Sequence, residues 1–227
     1  MDDNINSEDE YPLILGFDDI PGTLHWIREG LDTLVGRIDT KLAKTYNQRW
    51  FVLRNLAKRT SVEIERLEGW TDASPDLIAY PARNLFELNI TTGYVLLSEQ
   101  NCLQFTAEQE AEDVEIIKNA LMLREEEPDV TVCEEMSKQH EQIMARHAGR
   151  LHEAHVSVAK MANSVDKDCL YESFYKFYSK FVHPTAWLVN TDWESSADDF
   201  RAIFLKKALV DAADVLGQIG EAFNQDR

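Results

Sequence analysis

The sequence predicts an all-α protein, an antiparallel bundle of six or seven helices. Glycine and proline are scarce, at nine and six residues in 227. Runs of alternating polar and apolar residues, which mark half-buried strands, are hard to find. Several segments instead repeat apolar residues with the helical period and are separated by short connections. Long helices with short connections pack as antiparallel neighbours, so we expect one bundle.

The first half of the chain divides at polar and proline-containing segments. Residues 1–12 are polar and acidic, which predicts a disordered tail before a single helical domain over residues 13–227. A short helix is expected over about 21–35 and a long one over about 37–67. In "ASPDL", Ser74 is a candidate N-cap with Pro75 at the first helical position. Pro81 opens or kinks the next helix, "PARNLFELNITTGYVLLSEQ", whose apolar character nearly all round predicts a central position.

Capping signals divide the second half. Thr106 begins "TAEQ", whose capping-box spacing predicts a helix from there to near Pro128. The segment "TVCE" has the same capping-box spacing and predicts the start of another helix. An apolar stripe of about thirty residues follows that second cap, and another helix is expected from about Asp166. "SADD" then predicts a cap at Ser196 for the last helix, "FRAIFLKKALVDAADVLGQIGEAF".

The charge of the chain is strongly negative and unevenly spread. A formal net charge of -18 disfavours nucleic-acid binding, because a phosphate backbone would be repelled. Residues 37–66 hold eight Lys or Arg and three Asp or Glu, whereas residues 105–135 hold eleven acidic and two basic side chains. These segments are either solvated helix faces or a basic stripe that meets an acidic partner, such as a second copy. We expect a protein partner or a homo-oligomer.

Cysteine usage and hydropathy predict a cytoplasmic protein. Cys102, Cys133 and Cys169 lie far apart and form no C-x-x-C pair, which indicates reduced thiols. The acidic start is unlike a secretory signal, and no apolar run has the length of a membrane span. No Glu stands three residues before a histidine, as in di-iron bundles, and no phosphate-binding glycine loop is present. We therefore predict no metal and no cofactor.

The stretch "YESFYKFYSKFVHP" carries a candidate polar site. Tyr175, Ser179 and His183 are four residues apart, so a helix places them on one face, and Pro184 ends that helix near His183. A Ser–His pair is possible at this spacing, but no oxyanion loop or nucleophile elbow accompanies it. Ser179 is more simply explained as bonding a backbone carbonyl one turn back.

A second anchor of the site lies in "ARNLFEL". Arg83 and Glu87 are one turn apart inside the most apolar helix, where burying charges is costly unless they are paired. Because Arg preceding Glu is the poorer local orientation, each should also have a partner elsewhere. We hypothesise that Glu87 accepts a hydrogen bond from His183 or Tyr175 across the bundle. Such a network either fixes helix register only or forms a catalytic or binding site.

The two anchors carry a family resemblance. Arg83 and Glu87 in R-x-x-x-E, followed by Tyr175, Ser179 and His183 in Y-x-x-x-S-x-x-x-H-P, resemble a family of uncharacterised bacterial all-helical proteins known only as a domain of unknown function. The resemblance spans roughly residues 80–190. It implies a helical bundle and little about activity.

A second resemblance implies a different function. The helix with R-N-x-x-E is similar to abortive-infection proteins of the HEPN superfamily, many of which are ribonucleases with an Arg-x(4–6)-His motif. "RHAGRLHEAH" contains this spacing twice, as Arg146 with His152 and Arg150 with His155. The uneven charge and the polar network of the candidate site lead us to expect an interaction or sensing module in bacterial stress or phage defence. The alternative is a metal-independent, HEPN-like ribonuclease that uses Arg and His, in which case RNA is a partner.

Overall fold

The computed structural model describes residues 18–122, 156–190, 192 and 194–226, with isolated positions between 134 and 145. The regular elements in these ranges are helices and none is a strand, so the predicted all-α fold is confirmed. The acidic segment 1–12 and most of the predicted thirty-residue stripe lie outside the described residues. The predicted boundary of a single domain at residue 13 stays a prediction.

The helices follow one another with short connections in both described parts of the chain. In order they are α1 (Ile20–Lys44), α2 (Gln48–Trp70), α3 (Pro75–Leu97), α4 (Glu99–Met122), α5 (Val158–Ser164), α6 (Asp168–Val182), α7 (Ala186–Asn190), a 3-10 turn (Glu194–Ser196) and α8 (Ala197–Gln225).

The first two helices form an antiparallel hairpin. Near one end of the pair, Arg28 Nε lies 3.0 Å from Glu68 Oε2, and further along Ser61 Oγ donates to Asp32 Oδ1 over 3.0 Å. Asn47 ends the connection and begins α2, because its Oδ1 accepts from Trp50 N over 3.0 Å. The hairpin thus has the antiparallel arrangement that the short connection predicts.

The last helix runs parallel to α1 and α3. Arg37 Nη2 donates to Asn224 Oδ1 over 3.2 Å, which joins the second halves of α1 and α8. Arg201 Nε donates to the Ala73 carbonyl over 3.1 Å, which joins the starts of α8 and α3. The bundle is therefore mixed, and not antiparallel at every contact as the sequence predicts. The helices α4 to α7 come between α3 and α8 in the sequence, and α8 begins at the same end of the bundle as α3.

The third helix is the centre of the bundle, as its composition predicts. It contacts α2, α4, α5, α6 and α8, and it is buried on most of its circumference. Phe86 faces three aromatic side chains of α6, at ring-centroid distances of 5.9–6.3 Å. Burying each large apolar side chain stabilises the fold by about 1.5–3 kcal/mol, so this contact is a main support of α6.

Two predicted boundaries were wrong. The first helix continues through Gly36 to Lys44, because Val35 and Ile38 on either side of the glycine are buried in the same core. The fourth helix begins at Glu99 and not at Thr106, whose hydroxyl lies inside the helix and donates to the Cys102 carbonyl over 3.0 Å. In both cases the burial of neighbouring apolar residues outweighs a local sequence signal, which is the glycine in the first helix and the capping-box spacing in the fourth.

Other predicted boundaries are confirmed. Ser74 is the N-cap of α3 with Pro75 in the first turn, and the helix continues through the buried Pro81. Helix α6 ends with His183 as its C-cap, directly before Pro184, and Ser196 is the N-cap of α8. Cys102 and Cys169 are free thiols, as predicted, and Cys133 lies outside the described residues.

Candidate functional site

Arg83, Glu87 and Tyr175 meet at the surface between α3 and α6. Arg83 Nε donates to Glu87 Oε1 over 2.9 Å within α3, and the side chains are 19% and 27% exposed. The Arg83 guanidinium also lies over the ring of Tyr175, 4.7 Å from its centroid. This cation–π contact is the partner outside the helix that the sequence predicts for Arg83. The structure thus brings Arg83 and Glu87 of α3 next to one of the predicted site residues of α6, Tyr175.

The aromatic part of this contact continues along α6. Tyr171 stacks on Tyr175 with ring centroids 4.9 Å apart, and on its other side it stacks on Phe86 at 6.3 Å. Burial raises the pKa of Tyr171, and the neighbouring Tyr175 and Glu87 raise it further. The Tyr171 phenol is therefore a neutral hydrogen-bonding group at ordinary pH, held in position by stacking.

His183 does not join this group. It caps the far end of α6 in an extended conformation and is exposed, and its imidazole makes no hydrogen bond or ion pair to a described residue. The hypothesised hydrogen bond from His183 to Glu87 is therefore absent from the structure, because His183 lies eight positions after Tyr175, the residue at which α6 meets Arg83. Ser179 Oγ donates to the Tyr175 carbonyl over 2.7 Å, as predicted, and not to an imidazole.

The ribonuclease candidates Arg146, Arg150, His152 and His155 lie outside the described residues. Their arrangement stays a prediction. Trp187 in α7 packs against Phe181 of α6, with ring centroids 5.2 Å apart.

A buried polar group that sequence reasoning missed lies deeper between α3, α6 and α8. We call it the Asn89 cluster; its members are Asn89, Lys167, Lys207, Asp211, Asp214 and Gln218. The amide nitrogen of Asn89 donates to Asp211 Oδ1 over 2.9 Å and to Asp214 Oδ2 over 3.0 Å. The amide oxygen of Asn89 accepts from Lys167 Nζ at 2.9 Å and from Gln218 Nε2 at 2.8 Å. One asparagine therefore links the start of α6 to two turns of α8.

Asp211 is the most deeply buried acid of this cluster. Its residue is 1% exposed, Lys207 Nζ donates to its Oδ1, and its Oδ2 is buried without a hydrogen-bond partner among the described residues. Burial raises the pKa of the Asp211 carboxyl, against the opposing effects of Lys207 and Asn89. Burial also raises the pKa of Tyr178 well above its ordinary value, and the charge of Asp211 adds to this rise.

The cluster had a signal in the sequence. Asp211, Asp214 and Gln218 are spaced three and four residues apart in the last helix, so they share one face beside the apolar one. Lys207 precedes Asp211 by one turn on the same face. A row of polar side chains beside a strongly apolar stripe predicts a polar partner on a neighbouring helix, and Asn89 in the apolar α3 is that partner.

Among the described residues, no group of three His, Cys, Asp or Glu side chains could hold a metal ion. None of the helices that the structure describes combines the length and the apolar character that crossing a bilayer requires.

The fold and the site define a class of protein: an all-α bundle with a half-buried Arg–Glu–Tyr contact on its central helix and a buried polar cluster behind it. The chain belongs to a family of unknown function (DUF5677), whose model matches residues 76–200, more than half of the chain. The matched range includes α3 and α6 and both segments on which the resemblance was based. No curated protein and no solved structure is significantly similar to this chain.

Proposed function

We propose that this protein is a non-catalytic interaction module that docks a basic protein partner on a surface of α3 and α6. The surface is the tyrosine face, formed by Leu77, Tyr80, Arg83, Glu87, Tyr171 and Tyr175. The observation that carries the proposal is the Arg83 guanidinium held between the Glu87 carboxylate and the Tyr175 ring while all three remain partly accessible. Tyr and Arg side chains held in this way are typical of interface hot spots.

The tyrosine face is continuous along the outer side of α3. Leu77, Tyr80 and Arg83 follow one another at three-residue spacing, which places them in one row on the helix. Leu77 is 49% exposed and Tyr80 is 52% exposed, so two large apolar side chains extend the row towards the start of the helix. Exposed apolar side chains that adjoin ordered Tyr and Arg residues indicate an interaction site more than a solvated surface.

Charge favours a basic partner over a second copy. Two chains of net charge -18 repel each other, whereas a basic partner is attracted and steered to the surface. The basic stripe at residues 37–66, a candidate for contact with a second copy, is largely paired within the chain. Arg59 and Arg66 both bind the buried Glu63, and Lys41 Nζ donates to Asp226 Oδ2 over 2.7 Å.

The arrangement supports binding better than catalysis. The hydroxyl of Ser179 is used by a backbone carbonyl, and His183 stands apart at the exposed helix end. The tyrosine face therefore holds groups that recognise a surface, without a nucleophile next to a base. A role of this module in bacterial stress or phage defence stays a prediction.

Site-specific photo-crosslinking tests the proposal. A photoreactive phenylalanine derivative replaces Tyr80 in the tagged full chain, expressed in the cells from which it comes. The matched control places the same residue at Tyr46, which is 65% exposed in the connection between α1 and α2. We expect one discrete crosslinked protein of basic composition from position 80 alone, and its loss when Arg83→Ala or Tyr175→Ala is added. Equal crosslinking from both positions, or crosslinking only to a second copy, would contradict the proposal.

A further inference from the structure

One side of α2 combines exposed cations with exposed apolar side chains. We call it the arginine face; its members are Arg59, Val62, Glu63, Arg66 and Trp70. All except Val62 are spaced four, three and four residues apart, so they share one side of the helix. Ser61 and Glu68 contact α1, and residues two positions away from them point in the opposite direction, because each residue turns the helix by about 100°. The arginine face is therefore turned away from α1.

Glu63 lies at the centre of this face, and its side chain is 0% exposed. Arg59 Nη2 lies 2.5 Å and Arg66 Nη1 lies 3.0 Å from the same atom, Glu63 Oε1. The two arginine side chains are 49% and 36% exposed, and the N–H groups that do not contact Glu63 have no acceptor among the described residues. One buried carboxylate thus holds two accessible guanidinium groups, and an excess positive charge with free donors remains for a further carboxylate.

The apolar part of the arginine face adjoins these charges. Val62 is 39% exposed and lies between the two arginines in sequence, and Trp70 is 37% exposed at the last turn of α2. Side chains on a helix lean towards its N-terminus, so the Trp70 indole leans towards Arg66, which is one turn earlier. Exposed Trp and Arg side chains that adjoin one another are typical of interaction sites, so this face fits a partner that is both acidic and apolar.

The N-terminal segment, residues 1–17, has this composition and lies outside the described part of the chain. Residues 1–10 contain five acidic side chains and no basic one, and residues 13–17 read LILGF. The described chain begins directly after this segment, at Asp18. The segment therefore offers carboxylates to the two guanidinium groups and aliphatic and aromatic side chains to Trp70.

The length of the segment allows the contact. Arg28 Nε lies 3.0 Å from Glu68 Oε2, so these residues mark one level of the hairpin. Asp18 lies about 15 Å from this level along α1, and Arg66 lies about 3 Å from it in the opposite direction. With the width of α2, about 10 Å, the straight-line separation is roughly 20–25 Å. The extended chain from Asp18 back to Glu10 spans about 26–29 Å, which is enough to place Glu10 at Arg66.

We infer that residues 8–17 of this chain dock on the arginine face. Going back from Asp18, the apolar residues 13–17 come first and lie on Trp70, and the carboxylates of residues 8–10 follow and contact Arg59 and Arg66. This order matches α2, where Trp70 is nearer to the level of Asp18 than either arginine is. The acidic partner of this part of the basic stripe is then within the same chain.

Photo-crosslinking within the purified full chain tests the inference. A photoreactive phenylalanine derivative replaces Tyr11, and mass spectrometry of the irradiated monomer maps the crosslinked peptides. We expect crosslinks to residues 59–70 of the same chain. Replacing the three acidic residues 8–10 by their amides should lower the yield about fivefold or more, because their ion pairs with the arginines are lost. The same replacement of Asp2 and Asp3, which precede the docked segment, should change the yield less.

A matched pair of variants tests the cationic side. Arg59→Gln removes one guanidinium, while Arg66 keeps both of its contacts with the buried Glu63, so the fold is retained. This change should lower the crosslinking yield about two- to fivefold, as expected for one partly exposed ion pair. Lys58→Gln removes the same charge from the next exposed position, which points to a different side of α2, and should leave the yield unchanged. Circular dichroism confirms that both variants are folded.

Three results would overturn the inference. The first is that position 11 forms no crosslink within the chain, or forms crosslinks only outside residues 59–70. The second is that amides at residues 8–10 leave the yield as high as amides at Asp2 and Asp3 do. The third is that Arg59→Gln and Lys58→Gln give the same yield, which would show that general attraction to basic residues holds the segment near α2.

Discussion

Asn89 Nδ2 donates a hydrogen bond to Asp211 Oδ1 over 2.9 Å, between helices that are 122 residues apart in sequence. The same amide bonds three further side chains, so both donor and both acceptor positions of Asn89 are occupied by side chains from α8 and from the N-cap of α6. A single side chain thus fixes the register of three helices.

Asn89→Ala should be strongly destabilising. The substitution leaves Asp211 without its neutral donor and leaves Lys167 and Gln218 without their shared acceptor, inside a mostly buried region. Unpaired buried polar groups cost about 1–3 kcal/mol each, so we expect a loss of roughly 3 kcal/mol in the free energy of unfolding. Urea unfolding followed by circular dichroism measures it.

The matched control for this substitution is Asn84→Ala on the same helix. Asn84 is half-buried and forms no hydrogen bond with its side chain in the described ranges, so its removal should change the free energy of unfolding by no more than about 0.5 kcal/mol. Equal effects of the two substitutions would show that the cluster does not fix the bundle.

Asp211 should make stability fall as pH rises through acidic values. Burial raises the pKa of this carboxyl above its ordinary 3.8, so the folded chain retains a proton that the unfolded chain has already lost. The unfolding free energy contributed by Asp211 therefore decreases from pH 3.8 up to the raised folded pKa. Relative to the wild type, Asp211→Asn should gain stability over this interval, measured as the difference between urea midpoints at each pH.

Asp226→Asn is the control of opposite sign. Hydrogen bonds from Lys41 and Trp50 lower the pKa of Asp226, so its contribution is present above pH 3.8 and is lost as pH falls through the folded pKa. Relative to the wild type, this variant should lose stability as pH rises from the lowered folded pKa to about 3.8, and the difference should then stay constant. The stability of each variant is compared with that of the wild type at each pH. The Asp211 prediction is contradicted if the differences for Asp211→Asn and Asp226→Asn change in the same direction with pH.

The sequence predicted the parts of this fold that local patterns determine. The end of α6 at His183 follows from Pro184, and the start of α3 follows from Ser74 and Pro75, because both signals act within a few residues. The position of Gly36 inside a helix could not be predicted in this way. There the burial of Val35 and Ile38 against the rest of the bundle outweighs the intrinsic cost of glycine.

The site was predicted less completely, for a physical reason. Spacing along a helix indicates which side chains share a face, and the structure shows that the two predicted faces meet at Arg83 and Tyr175. It does not show how far one helix slides along another, and this offset places His183 well past Glu87. The Asn89 contact with Asp211 depends on the same offset between α3 and α8, and only the three-dimensional arrangement determines it.

Tyr178→Phe should be neutral or stabilising. The Tyr178 hydroxyl is buried without a hydrogen-bond partner in the part of the chain that the structure describes, close enough to Asp211 to be affected by its charge. Removing an unsatisfied hydroxyl while keeping the ring should raise the free energy of unfolding by up to about 1 kcal/mol. Tyr171→Phe, which alters a more accessible phenol, should change it less. A loss of more than about 1 kcal/mol would reveal a partner of the Tyr178 hydroxyl.

Gly36→Ala should stabilise the protein, whereas Gly30→Ala in the same helix should not. A methyl group at Gly36 meets no atom within 4 Å, so the substitution adds helix propensity of about 0.5–1 kcal/mol without a steric cost. At Gly30 the added carbon would lie 2.9 Å from Cδ2 of the buried Leu216, which must move within a packed core. Thermal unfolding of the two variants measures the difference, and equal melting temperatures would mean that α1 and α8 are not packed as closely at Gly30 as the structure shows.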